Sequence, residues 1–204
     1  MKLNLANILT LFRIAAIPVV VVCFYAPFEN ARPVAAIIFG IAAITDFIDG
    51  WVARKFNQTS RFGEFLDPVA DKLMVVITLV MLVQAQSSLW EDIIAMIIIG
   101  REITVSALRE WMAMMGERSA VKVQFSGKLK TTFQMFGIAF MVWQKPLFGI
   151  DIYQVGYYLL IAAAVLTIYS MFAYLKAAWP FIMADGEPDA AGAPNEGDKP
   201  ADSA

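Results

Sequence analysis

Six runs of apolar residues, at 8–25, 33–47, 65–83, 93–115, 133–143 and 153–179, occupy most of the 204-residue chain and are parted by short polar stretches. A hydrocarbon layer about 30 Å thick takes about 20 helical residues to cross. Within it each backbone amide must be satisfied inside the protein, so such runs fold as helices or as closed barrels. Runs this long and this unbroken belong to helices. The shorter ones extend into flanks whose charges are read as functional. The expected fold class is therefore all-α: a polytopic membrane protein of six transmembrane helices led by an amphipathic N-terminal segment. Residues of hydrophobic type make up 59% of the chain, against about 45–50% in soluble domains. Arg13 interrupts the first run and no small-residue cleavage site follows it. The first run is thus read as a retained span, not a cleaved signal.

Basic residues orient the spans. Lys2, then Arg54, Lys55 and Arg61, then Arg118, Lys122, Lys128 and Lys130, and finally Lys176 fall at one end of the bundle; only Arg32 and Lys145 fall at the other. Lys and Arg accumulate on the cytoplasmic side. Both termini are therefore expected in the cytoplasm. Trp90, Trp143 and Trp179 lie near expected span ends, where amphipathic rings favour the interface.

The chain has no histidine and one cysteine, Cys23. This excludes a His general base, a His-ligated zinc, an intrachain disulfide and a Cys-x-x-Cys centre. Proton transfer falls to Asp, Glu, Lys, Tyr or Cys. The carboxylates that offer themselves are grouped. Asp46 and Asp49 are three residues apart at the end of the second run, and Asp67 and Asp71 are four apart at the start of the third. On helices both spacings share a face. The short connection brings the two faces to one depth at the cytoplasmic interface. Ionisable groups in such a setting are costly and tend to mark function. Two divalent cations would offset the four charges, and oxygen-only ligands favour Mg²⁺ or Mn²⁺. A metal pair about 4 Å apart is a recurrent clamp for phosphoryl displacement. The bland alternative makes these aspartates helix caps and loop ion pairs with Arg54, Lys55, Arg61 and Lys72. Their joint spacing, with Gly50, Ala53 and Gly63 leaving room for close backbone approach, favours the metal site.

From Asp46 to Asp71 the chain reads D-x2-D-G-x2-A-R-x8-G-x3-D-x3-D. Eight fixed positions would coincide by chance on the order of once in 10¹⁰ trials at average residue frequencies, so the pattern is diagnostic. It resembles the signature of the CDP-alcohol phosphotransferases. The segments 7–13 (Asn-Ile-Leu-Thr-Leu-Phe-Arg), 61–72, 101–103 (Arg-Glu-Ile) and 107–111 (Ala-Leu-Arg-Glu-Trp) are similar to the bacterial branch that uses glycerol phosphate. The likeness runs over residues 1–180.

The resemblance implies CDP-diacylglycerol as donor, sn-glycerol 3-phosphate as acceptor, two divalent cations as cofactors, membrane lipid as surroundings and a homodimer. It implies no nucleic acid partner. Asp46, Asp49 and Asp67 would be metal ligands, and Asp71 a general base that also touches metal. Asn7, Thr10, Gly50, Ala53, Arg54 and Gly63 would border the CDP site. Two readings stay open for Arg54, contact with the diphosphate or anchorage at the interface, and Asn7, Thr10 and Arg13 could equally cap the first helix and snorkel. The acceptor phosphate would be met by Arg109 with Lys128 and Lys130, and by Arg61, Arg101 and Arg118. Arg109 shares a helical face with Glu102 and Ser106, and an Arg–Glu pair between helices is its rival role. Other members of the same family, making cardiolipin, phosphatidylinositol phosphate or phosphatidylserine, would share the motif. A divalent cation transporter would also place carboxylates in spans, but an internal repeat is not evident here.

Residues 1–184 are expected to form the membrane domain. Residues 185–204 hold six acids and one lysine and almost no large apolar side chain, a composition that cannot bury a core. This acidic tail is expected to be disordered. The net charge of −2 overall against −5 in the tail leaves the membrane body at +3. A chain ending at Ala184 is accordingly expected to insert and to retain its turnover; a truncated protein that folds but is inactive would show the tail to be part of the machinery.

Overall fold

The computed structural model describes residues 5–56, 61–86, 88–115 and 125–184, with side chains outside 5–7, 46–56, 61–62, 64–65, 125–128 and 184. The tail lies outside the described residues. Six helices follow one another: α1 Leu5–Tyr25, α2 Ala31–Phe56, α3 Arg61–Gln86, α4 Leu89–Met114, α5 Phe125–Trp143 and α6 Ile152–Ala184. Among the described residues there is no β-strand, only an isolated bridge between Leu147 and Ile150. Each apolar run seen in the sequence lies in one helix, and α2 to α6 all reach beyond their runs. The extensions of α2 and α5 carry Asp49, Arg54, Lys128 and Lys130, because the helical backbone continues wherever the chain supplies i to i−4 bonds, whether or not the side chains are apolar.

The helices contact one another in the order α1, α2, α5, α6, α4, α3 and back to α1, and α3 also reaches α5. Polar bonds tie the ends of the helices on one side of the bundle. Tyr25 donates to Gln84 at 3.0 Å, Tyr153 to Glu91 at 2.6 Å, and Lys145 to Asn30 at 2.9 Å. On that side α5 turns into α6 through Phe148 and Gly149, both at positive φ, with reciprocal 3.0 Å bonds between Leu147 and Ile150. Two consecutive left-handed residues are what a tight primed turn requires, and glycine at the second makes it cheap.

Phe39, Leu79, Ile98, Ile138, Met141 and Val142 are fully buried in the apolar core. Large apolar residues are also exposed on every helix, among them Val22, Ile44, Val80, Met96, Phe136 and Phe172. In water such a coat would be an aggregation surface; in lipid it is matched to its solvent. Two stretches, Ile8–Tyr25 and Ile152–Met183, are long and apolar enough to cross a membrane, while the apolar part of α2, Ala31–Thr45, is shorter. Lipid offers no hydrophobic drive between helices, so close van der Waals contact of small residues holds them. Ala16, Ala35, Ala42, Ala163 and Ala164 are all buried. The tightest approach is Gly137 on α5 against Gly156 on α6. A Cβ on Gly156 would lie 2.8 Å from the Gly137 carbonyl oxygen and 2.9 Å from the Met141 nitrogen, both backbone atoms that cannot swing away.

Gly156→Ala should therefore force α5 and α6 apart, at about 1–3 kcal/mol for overpacking, or about 2–4 °C of Tm per kcal/mol in a protein of this size. Gly100→Ala, where the added methyl meets nothing within 4 Å, serves as control and should hold or raise Tm. Equal melting of the two variants in detergent would contradict the packing described.

Candidate active site

The end of the bundle opposite the α5–α6 turn is polar. A cavity of about 670 Å³ opens there between α3, α4, α5 and α6, and Asp67, Asp71, Lys72, Arg101, Glu102, Ser106, Arg109, Thr131, Gln134 and Tyr174 help to line it. The helix register explains the set. Asp67 and Asp71 are one turn apart on α3; Glu102, Ser106 and Arg109 follow at helical spacing on α4; Thr131 and Gln134 are three residues apart on α5, with the buried Lys130 one turn before Gln134. The i, i+4 spacing that suggested a shared face for the two α3 aspartates is realised.

Each described aspartate of the motif is held from α1. The Thr10 hydroxyl donates to Asp67 Oδ1, and the Arg13 guanidinium pairs with Asp71. Thr10 and Arg13 are buried, whereas the Asp71 side chain keeps 40% of its surface open. The carboxylate is thus gripped from behind and presented to the cavity. Arg13 is the stronger surprise. Its sequence signal is a lone charge inside an apolar run; what that charge partners is a long-range fact that periodicity cannot reveal.

A second polar cluster faces the first. Glu102 accepts from Lys130 and, at 3.0 Å, from Arg101. Lys130 is buried, and Arg101 also reaches Ser170 at 3.3 Å and lies 5.9 Å from the Tyr174 ring centroid. Lys72 donates to Ser106. Arg109 is exposed, lines the cavity and makes no ion pair among the described residues. Glu102 is thus taken by Lys130 and Arg101, and among the described residues Arg109 makes no Arg–Glu pair between helices. Glu102 as a hub and Gln134 and Tyr174 as lining residues were not singled out from sequence. The signal for the first was the charge of Glu102 on the face of Arg109; for Gln134 it was its position one turn after Lys130.

The other expected site residues divide by what is described. Gly63 is buried in α3. Asp46, Asp49, Gly50, Ala53 and Arg54 lie on the last turns of α2, Arg61 opens α3, Asn7 is in the first turn of α1 and Lys128 in the first turn of α5, all with side chains outside the described residues. Arg118 lies outside them altogether. Among the described residues no three metal-binding side chains converge. The described part of the donor set, Asp67 and Asp71 on one cavity wall, is oxygen-only, and Cys23, half-buried against the apolar core, is not part of it. That chemistry fits Mg²⁺ or Mn²⁺.

The family profile for CDP-alcohol phosphatidyltransferase matches residues 3–169. Among the most similar relatives is a protein of Salmonella choleraesuis (strain SC-B67), 50% identical over 87% of this chain and 96% of its own length. One from Yersinia enterocolitica serotype O:8 is 50% identical over 88% and 97%, and one from Haemophilus influenzae 49% identical over 87% and 95%. Each is named CDP-diacylglycerol–glycerol-3-phosphate 3-phosphatidyltransferase.

The Glu102 cluster makes a stability prediction. Removing one member of a buried pair strands the other's charge, typically at 3–5 kcal/mol; because Glu102 is partly exposed, Glu102→Gln should fall toward or below the lower figure. Glu102→Gln combined with Lys130→Met should be less damaging than the sum of the two single changes. Strict additivity of the melting shifts would mean the two side chains do not interact.

Proposed function

The chain belongs to the CDP-alcohol phosphatidyltransferase family, and we propose that it transfers the phosphatidyl group of CDP-diacylglycerol to sn-glycerol 3-phosphate, releasing CMP. The observation that carries this reading is the cavity itself: motif carboxylates on α3 stand across from cationic side chains on α4. A reaction joining a diphosphate donor to a phosphorylated alcohol needs both, metal-binding anions for one and fixed cations for the other. The relatives' names agree on the donor and on the acceptor.

The acceptor brings its own hydroxyl as nucleophile. Its oxygen attacks the phosphorus that bears diacylglycerol, the bond from that phosphorus to the CMP oxygen breaks, and phosphatidylglycerol phosphate forms. Asp71 takes the hydroxyl proton. Arg13 behind it fixes the carboxylate in its rotamer, and Thr10 does the same for Asp67. Asp46, Asp49 and Asp67, with Asp71 at the margin, would hold two divalent cations, which when bound neutralise charge on the diphosphate and the departing CMP. Asn7, Thr10, Gly50, Ala53, Arg54 and Gly63 border the nucleotide. Arg109 meets the acceptor phosphate, with Lys128, Lys130, Arg101, Arg61 and Arg118 contributing positive potential; Lys130 and Arg101 do so while bound to Glu102.

The lipid donor and the soluble acceptor call for an interfacial site. The apolar coat on all six helices supports six spans, and the basic end of the bundle supports a site facing the cytoplasm, with both termini there. The inner cell membrane is the corresponding location, and a homodimer is the assembly implied by the family likeness.

CMP release from CDP-diacylglycerol by purified protein, with each candidate acceptor supplied in turn, tests the reading: glycerol 3-phosphate should be the preferred acceptor, and preference for inositol phosphate or serine would overturn it. Asp46→Asn, Asp49→Asn and Asp67→Asn should each lower activity by several orders of magnitude, while Asp71→Asn should bind the donor and transfer hardly any of it. A charge-assisted hydrogen bond contributes roughly 1.5–3 kcal/mol, so Arg109→Ala should raise KM for glycerol 3-phosphate about 10–150-fold with donor binding nearly intact. Weakened donor binding at unchanged acceptor KM would move Arg109 to the donor site.

A further inference from the structure

Gln134 on α5 belongs to neither cluster. It is 2% exposed, and its buried Oε1 has no hydrogen-bond partner among the described residues. It lines the cavity that also holds Asp67, Asp71 and Arg109, one turn beyond Lys130. A buried amide oxygen without a donor is unfavourable, and native proteins rarely leave one so. A carbonyl oxygen cannot serve a phosphate dianion, since both only accept; it asks for a hydroxyl or an amine proton.

We infer that Gln134 reads the non-reacting hydroxyl of the acceptor, the one on the middle carbon of glycerol 3-phosphate. This rests on the proposed reaction. The assignment follows from place and chemistry. Gln134 follows Lys130, the partner of Glu102, by one turn of α5 and shares the cavity lining with Glu102 and Arg101, whereas the residues expected around the nucleotide lie on α1, α2 and the start of α3. A glycerol phosphate anchored by its phosphate at the cations and by its terminal hydroxyl at Asp71 presents one more polar group, the middle hydroxyl, which must be desolvated on binding. The Gln134 oxygen accepts that proton. Gln134 is then a specificity residue: it distinguishes a glycerol phosphate from a phosphorylated alcohol that lacks the hydroxyl, because only the former satisfies both buried groups.

The probe is 3-hydroxypropyl phosphate, identical to the acceptor but without the middle hydroxyl. Native protein should prefer glycerol 3-phosphate in kcat/KM on the order of 10- to 100-fold, the range for leaving a buried group unpaired. Gln134→Met, similar in shape and without an amide, should bring the ratio near unity by losing activity toward glycerol 3-phosphate while keeping that toward the probe, which also shows the variant to be folded. Gln134→Glu keeps an acceptor oxygen in place and should retain the preference while KM rises for both phosphates. Native protein active with glycerol 3-phosphate but indifferent to the missing hydroxyl overturns the inference and leaves the proposed reaction standing. Inactivity of the native protein with either acceptor overturns the reaction itself. Equal loss toward both acceptors in Gln134→Met, or a changed KM for CDP-diacylglycerol or Mg²⁺, assigns the side chain to the donor or metal site and also overturns it.

Discussion

Charge inside an apolar bundle must be partnered, and the structure of this protein is arranged around that constraint. Ionised groups cost several kcal/mol each when taken from water without a partner. Two buried cations at the polar end meet it in pairs between helices: Arg13 on α1 with Asp71 on α3, Lys130 on α5 with Glu102 on α4. These pairs set the register of α1 against α3 and of α4 against α5. Packing alone would set it loosely, because lipid is as apolar as the helix faces and sliding exposes nothing unfavourable. The apolar end has a different device, the backbone approach of Gly137 to Gly156, which fixes α5 on α6 by shape.

The same pairs suit the chemistry proposed for the site. The proposed base needs its carboxylate held in one place, and Arg13 holds Asp71 while leaving 40% of that side chain open. Thr10 holds Asp67 by a neutral bond, which adds no competing charge to a group expected to bind metal. On the other wall, Glu102 binds both Lys130 and Arg101, so that cluster carries a net positive charge while its anion keeps two cations from repelling each other. Arg109, without an ion pair among the described residues, stays available for a ligand.

How much of this was legible in the sequence depends on the range of the interaction. Asp67 and Asp71 could be put on one face because a helix repeats every 3.6 residues, and Glu102, Ser106 and Arg109 could be aligned for the same reason; all five line the cavity. The helix ends were less legible. Apolar runs end where polar residues gather, so the runs at 33–47 and 133–143 fell short of α2 and α5, whose last and first turns carry the first part of the motif and the lysines. Hydropathy reports solubility of side chains, while the helix is continued by backbone bonds.

By itself the sequence determined the helical class, the family and the aspartates expected to carry its chemistry, because these follow from periodicity and from a motif of fixed spacing. Only the tertiary structure decided which helix supplies each carboxylate's partner, that Glu102 takes Lys130 and Arg101, and that the buried Gln134 oxygen has no partner among the described residues. The pairs between helices join residues 28 to 58 positions apart. They depend on how six helices are rotated and slid against one another, and no local pattern encodes a rotation that is settled by all the contacts at once.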